Sequence, residues 1–186
     1  MSMFGDGLDA AVQKAFTRPA PKSAPAQMRY LVKQLGGTRA VAQMLRISQR
    51  TVERYVKDQI KKPRPDLAAR LEREVKARWQ PQIRAKARKK AATTGGIVID
   101  VHARLGYTAA SIGTTDNARV RQITVALPPH HAARLFDAQQ QGAGEGRLRE
   151  ITAEALKEVY FQDSGRRAGS LEEVHINDVL DLGFEL

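Results

Sequence analysis

The sequence predicts an α+β fold, with an all-α N-terminal domain followed by a small C-terminal domain of a β-hairpin plus two helices. Two observations predict it. Apolar residues recur at helical spacing as far as residue 96 and alternate at period two from residue 97. The charge divides at the same place: residues 1 to 96 hold 22 Lys and Arg against 7 Asp and Glu, a net of +15, while residues 97 to 186 hold 9 against 13, a net of −4. A basic half joined to a mildly acidic one suggests that only the first half sits on a polyanion.

Composition sets the limits. The chain of 186 residues has room for one ordinary domain or two small ones, and 42% hydrophobic with 27% charged residues is a folded, water-compatible composition. No apolar run reaches the ~18 residues of a membrane span, and MSMFGDGLDAAVQKAF carries acids where a signal peptide needs a basic region. The expectation is a cytoplasmic protein with no membrane partner. The absence of cysteine removes disulfides, thiolate metal sites and cysteine nucleophiles together.

Residues 1–25 read as a helix and a Pro-rich linker. LDAAVQKAF places Leu8, Val12 and Phe16 at helical spacing, and RPAPKSAPA at 18–26 interrupts the chain with three prolines. The next expected domain is 26–79. Its first helix, AQMRYLVKQLGG, runs through Met28, Leu31, Val32 and Leu35 and stops at paired glycines.

TRAVAQMLRISQRTVERYVKD, residues 38–58, is the most specific stretch. Two helices crossing through a tight turn need a small residue where they touch, an apolar residue in the turn, and apolar residues on the buried face of the second helix. Ala42 is small, Leu45 and Ile47 bracket the turn, and Val52 and Tyr55 make the buried face. Ser48 is placed to cap the second helix. The pattern is that of a helix-turn-helix DNA-binding domain. Its outward face then carries Gln49, Arg50, Thr51, Arg54 and Lys57, side chains that can reach base edges or phosphates, with Lys61 and Lys62 just beyond. Arg46 departs from the pattern, because the turn-opening residue takes a left-handed conformation that glycine adopts at less cost.

In IKKPRPDLAARLEREVKARW, residues 60–79, Asp66 is a candidate cap for a helix with Leu67, Leu71 and Val75 on its core face. Residues 80–96 read as a basic linker, in which Arg84, Lys86, Arg88, Lys89 and Lys90 would track a phosphate backbone.

From residue 97 the C-terminal domain, 97–186, begins. GGIVIDVHARLGYTA puts Ile97, Ile99, Val101, Ala103, Leu105 and Tyr107 on one side of a strand, and VRQITVAL at 120–127 alternates again. SIGTTDN, residues 111–117, lies between them, which puts Gly113 to Asn117 in or near the exposed connection of a hairpin. Residues 128–142 and 145–161 read as amphipathic helices separated by GAG, and VHINDVLDLGFEL at 174–186 alternates enough to add a strand. Strand, proline, helix, glycine turn, helix is also the outline of ribbon-helix-helix proteins. Those proteins read DNA with a basic strand face, for which Arg119 and Arg121 are thin support in an acidic half. A dimerising role, with a homodimer as partner, suits such a domain.

Catalytic constellations are missing from the pattern. His130 and His131 are adjacent, so they are expected on different sides of a helix, and His102 and His175 stand alone; all four read as ordinary histidines, with no metal site. No glycine-rich phosphate loop is followed by lysine, and no carboxylate pair suggests two-metal chemistry. The chain is not expected to be an enzyme acting alone.

Four segments carry a resemblance: MFGDGLDAAVQKAFTRPAPKSA, the run from Thr38 to Val75, KARKKAATTGGIVID, and ITAEALKEVYFQDSGRRAG. Together they resemble the telomere terminal proteins of linear actinomycete chromosomes and plasmids, over essentially the whole chain. The resemblance implies covalent attachment to the 5′ ends of linear DNA and priming of the synthesis that patches the 3′ overhang. It places the linkage on a threonine hydroxyl matched here by Thr114, with Thr115 as second choice and Asp116 as a neighbour able to orient the hydroxyl or merely stabilise a turn. It implies no cofactor within the chain. A partner DNA polymerase would supply Mg2+ and the catalytic carboxylates, with dCTP as the first substrate. The other implied partners are telomeric DNA and a telomere-binding recruitment protein, and the implied location is at replicon ends in the nucleoid.

A transcriptional repressor with a C-terminal dimerisation domain is the alternative, and it has no use for Thr114. A nuclease or recombinase is disfavoured by the missing metal ligands.

Overall fold

A computed structural model describes residues 2–109, 113–114, 119–166 and 168–186, and of Thr114 the backbone only. The architecture is α+β, with eight α-helices and an antiparallel sheet among the described residues. The chain divides into two compact units, one of residues 17–81 and one of residues 1–16 with 82–186.

The first unit is helical. It contains α2 (Ala24–Leu35), α3 (Thr38–Leu45), α4 (Gln49–Val56) and α5 (Pro65–Arg78). Met28, Leu31, Val41, Leu45, Val52 and Leu71 are completely buried in its core. Helix α2 ends at Gly36, whose φ of 76° reverses the chain in the left-handed conformation open to glycine. The proline-rich segment is not a free linker: Ala24 and Pro25 are buried, and Gln27 Nε2 donates to Pro21 O at 2.9 Å. Trp79 Nε1 donates to Arg18 O at 3.0 Å, and Tyr30 meets the Trp79 ring edge-on at 4.8 Å. The cap expected from Asp66 is absent. Helix α5 starts two residues earlier than that cap implies, at Pro65 with Arg64 at the cap position, and Asp66 sits in the first turn, where a carboxylate favours the helix dipole.

The second unit is discontinuous in sequence. The expected N-terminal arm is helix α1 (Met3–Gln13), capped by Ser2, whose Oγ accepts from Gly5 N at 3.0 Å and donates to Glu145 Oε2 at 2.6 Å. Phe4 and Leu8 are completely buried in the core of this unit, with the Phe4 and Phe184 rings 6.5 Å apart. The expected basic linker is helix α6 (Pro81–Lys90) followed by a π-turn, Ala91–Gly95. Gly96, at φ 71°, then passes so close to the backbone of Leu127 that a Cβ would lie 2.3 Å from Leu127 O; only glycine fits there.

Strand β1 (Ile97–Ala109) is the spine of the sheet. Strand β4 (Leu171–Glu185) pairs with it along one edge over almost its full length, while β3 (Arg119–Leu127) covers the other edge from Ile97 to Leu105 and β2 (Gly113–Thr114) pairs at Thr108 and Ala109. Ile97, Ile99, Val101, Ala103 and Leu105 are buried beneath α7 (Pro129–Gln140) and α8 (Glu145–Leu156), which supply Leu135, Phe136, Leu148 and Ile151. The opposite face is more open to solvent and mixed in character: Thr124 Oγ1 donates to Asp100 Oδ1 at 2.9 Å, and Val120 is exposed beside Arg104. The alternation slips at Gly106, so Tyr107 is half-buried rather than a core residue; bulges in the β1–β4 pairing flank this part of the strand. Helix α8 ends in a π-turn, Lys157–Phe161.

Candidate functional site

In the helical unit, Arg46 takes the left-handed conformation at φ 53° and ψ 49°, and Ile47 N closes the end of α3 by donating to Ala42 O at 3.0 Å. Ser48 caps α4, its Oγ accepting from Thr51 N at 3.2 Å. Val52 and Tyr55 are buried, so the remaining face of α4 turns to solvent. Arg50, Arg54 and Lys57 are exposed there, and Lys61 and Lys62 are exposed in the segment before α5. Gln49 is exposed but already donates to Thr38 Oγ1 at 3.1 Å and Glu53 Oε1 at 3.0 Å. Thr51 is half-buried, its hydroxyl 2.8 Å from Ser48 Oγ. Other cations of this unit hold the scaffold: Arg70 donates to Leu45 O at 2.9 Å, and Arg29 donates to Val56 O at 3.1 Å and Asp58 Oδ2 at 2.7 Å.

Two of the cations expected to track DNA are in the wrong place for it. Arg84 is 8% exposed and donates to Asp9 Oδ1 at 2.7 Å. Arg88 is half-buried over the Phe136 ring, donating to Gln139 Oε1 at 3.1 Å, and burial followed by the adjacent Arg84 lowers its pKa. Both anchor α6 onto α1 and α7. Lys86, Lys89 and Lys90 remain exposed on the same helix.

Thr114 lies in β2 rather than in a turn, its Cα paired with Thr108. Thr115, Asp116 and the rest of 115–118 lie outside the described residues. Pairing in the hairpin shifts by two residues here: three steps along β1 from Leu105 to Thr108 face five steps from Thr114 to Arg119.

Compared with known protein families, curated proteins and solved structures, the chain matches none. The chemistry must be read from the residues.

The end of the sheet at β2 holds groups that the sequence left separate. Thr108 Oγ1 lies 3.3 Å from His175 Nε2, and Glu173 Oε2 lies 3.5 Å from the same nitrogen. No period or spacing joins residues 67 positions apart; the β1–β4 register does it. An acid contacting the same nitrogen as the hydroxyl cannot orient the ring in the manner of a hydrolytic triad, where it holds the opposite nitrogen. A groove of about 510 Å³ between α8 and β4 is lined by Glu150, Glu154, Glu172 and Glu173 against a single Lys157, which repels a polyphosphate. His130 and His131 also depart from expectation: instead of facing apart, their rings lie 4.0 Å from each other and share Glu158. Among the described residues, no helix is long and apolar enough to cross a membrane.

Proposed function

We propose that the chain is a terminal protein, carried covalently on the 5′ ends of linear replicons, whose Thr114 hydroxyl primes the DNA synthesis that patches a telomeric 3′ overhang. The observation that carries this reading is the separation of charge from threonine. The helical unit, 17–81, has 16 basic against 5 acidic residues and so holds the whole net charge of +11; the unit carrying Thr114 has 15 of each. A helix-turn-helix on the cationic unit would hold telomeric DNA through Arg50, Arg54 and Lys57. The neutral unit would offer a threonine near one end of its sheet without binding the template itself.

In the priming step, the threonine oxygen attacks the α-phosphate of dCTP, a phosphodiester bond forms, the α–β anhydride breaks and pyrophosphate leaves. The hydroxyl proton passes to solvent or to a base of the polymerase. A partner DNA polymerase holds the Mg2+ that this displacement requires, so the terminal protein is a substrate rather than the catalyst. A telomere-binding protein recruits it in the nucleoid.

The test is mass spectrometry of protein recovered from its native cells after nuclease digestion of attached DNA. The tryptic peptide from Leu105 to Arg119 is expected to carry one deoxynucleoside monophosphate on Thr114. An adduct on Thr108 or Thr115 would move the linkage while keeping priming. Unmodified hydroxyl peptides throughout would sink covalent priming. Thr114→Ala is expected to abolish nucleotide attachment with folding and DNA binding unchanged.

The two crossed helices with their basic face serve a repressor equally well. That second reading predicts a palindromic site with half-sites about 10 base pairs apart and indifference to Thr114→Ala.

A further inference from the structure

The start of α7 and the end of α8 bring together a donor set that the priming reading does not use. Pro128 and Pro129 fix the first turn of α7, and His130 and His131 follow at once. Glu158 faces them from the π-turn that ends α8. Its two carboxylate oxygens divide between the rings: Oε1 lies 3.7 Å from His130 Nε2 and Oε2 lies 3.4 Å from His131 Nε2. One ligand atom from each residue falls within 4.8 Å of the other two.

His131 carries the argument. It is completely buried, yet neither of its ring nitrogens makes a hydrogen bond among the described residues. A buried polar group left so costs about 1–3 kcal/mol, and folded proteins rarely leave one without a reason. Nearby Arg134 is paired with Glu154, which leaves the charge of Glu158 uncompensated by it.

We propose that His130, His131 and Glu158 bind a divalent transition ion of the zinc class, clamping the first turn of α7 to the π-wide end of α8. Two imidazoles and one carboxylate are donors that zinc takes, with a fourth position open to water. Mg2+ and Ca2+ prefer all-oxygen shells, so the two nitrogens select against them. Donors about 2.0 Å from a tetrahedral ion stand about 3.3 Å from each other; the two Glu158 oxygens lie 3.7 and 3.4 Å from the imidazole nitrogens and the set spans no more than 4.8 Å, so small side-chain rotations bring the three donors around one ion. Glu158 and His130 are exposed, which provides the entry path.

The test uses tag-free, chelator-treated full-length protein, titrated with Zn2+ by calorimetry and with Co2+ by visible absorption. One Zn2+ per chain, a tetrahedral Co2+ spectrum and a higher thermal midpoint with Zn2+ are expected. Glu158→Gln and His130→Gln change exposed residues and leave the fold intact by circular dichroism; each is expected to weaken Zn2+ binding by more than about tenfold. A folded wild type with no saturable binding would overturn the site. So would Zn2+ binding that both variants leave unchanged. DNA enters none of these readouts, so the site stands or falls apart from the priming reading.

Discussion

Arg46 holds the turn between α3 and α4 in a left-handed conformation that costs an L-residue roughly 1–2 kcal/mol. Its side chain is exposed, so little packing offsets that cost. Arg46→Gly is expected to raise the stability of the helical unit by about 1 kcal/mol, read as a higher denaturation midpoint; a lower midpoint would mean that the arginine makes a compensating contact. The strain was legible in the sequence, because the motif needs an αL residue at a position where no glycine stands. The roles of Arg84 and Arg88 were not legible. A basic run looks the same whether it faces phosphate or Asp9, and the deciding partner lies 75 positions away from Arg84. Breaking this largely buried pair by Arg84→Ala is expected to destabilise the second unit by about 2 kcal/mol, measured by chemical denaturation.

At the scale of elements, α4 and α6 offer a direct comparison. Both are short and basic, but α4 keeps Arg50 and Arg54 exposed while α6 turns both of its arginines, Arg84 and Arg88, inward. If α4 lies against phosphates, each lost contact lowers the slope of log K against log salt by about 0.9. The double variant Arg50→Ala, Arg54→Ala is expected to reduce that slope by about 2 for full-length protein on duplex DNA. Arg84→Ala should leave the slope unchanged. A change with Arg84→Ala and none with the α4 pair would move the proposed DNA surface away from α4. The periods of α2 to α5, β1, β3 and α7 were readable because each buries one face, and burial imposes the spacing. The helical nature of residues 81–90 was hidden, since the lysines and arginines there outnumber the few apolar positions, of which Ala87 packs against the core.

Across the whole molecule, the sharpest partition is electrical: +11 on the helical unit and zero on the other. The helical unit also holds Tyr30 and Tyr55. Burial raises both Tyr30 and Tyr55 above 10.0, with Arg78 opposing it at Tyr30. Because the folded values exceed the unfolded one, the stability they contribute is fully present below pH 10 and is lost as pH rises through the folded values. Helical signal followed from neutral to alkaline pH should therefore fall above pH 10, and Tyr55→Phe should reduce that loss; an alkaline transition unchanged by Tyr55→Phe would exclude that tyrosine as its cause. By itself the sequence determined what is local: the α+β class, the change of period at residue 97, the capped turn at Ser48 and the cationic surplus of the first half. Those features follow from neighbours within a few residues, which spacing and side-chain type record. Tertiary structure alone decided what long-range contacts assemble: α1 packed into the core of the second unit, Arg84 buried on Asp9, Thr108 beside His175, and two adjacent histidines converging on Glu158. Such contacts leave no period in a single sequence, because chain closure over tens of residues is set by the packing of whole elements and not by the residues that meet.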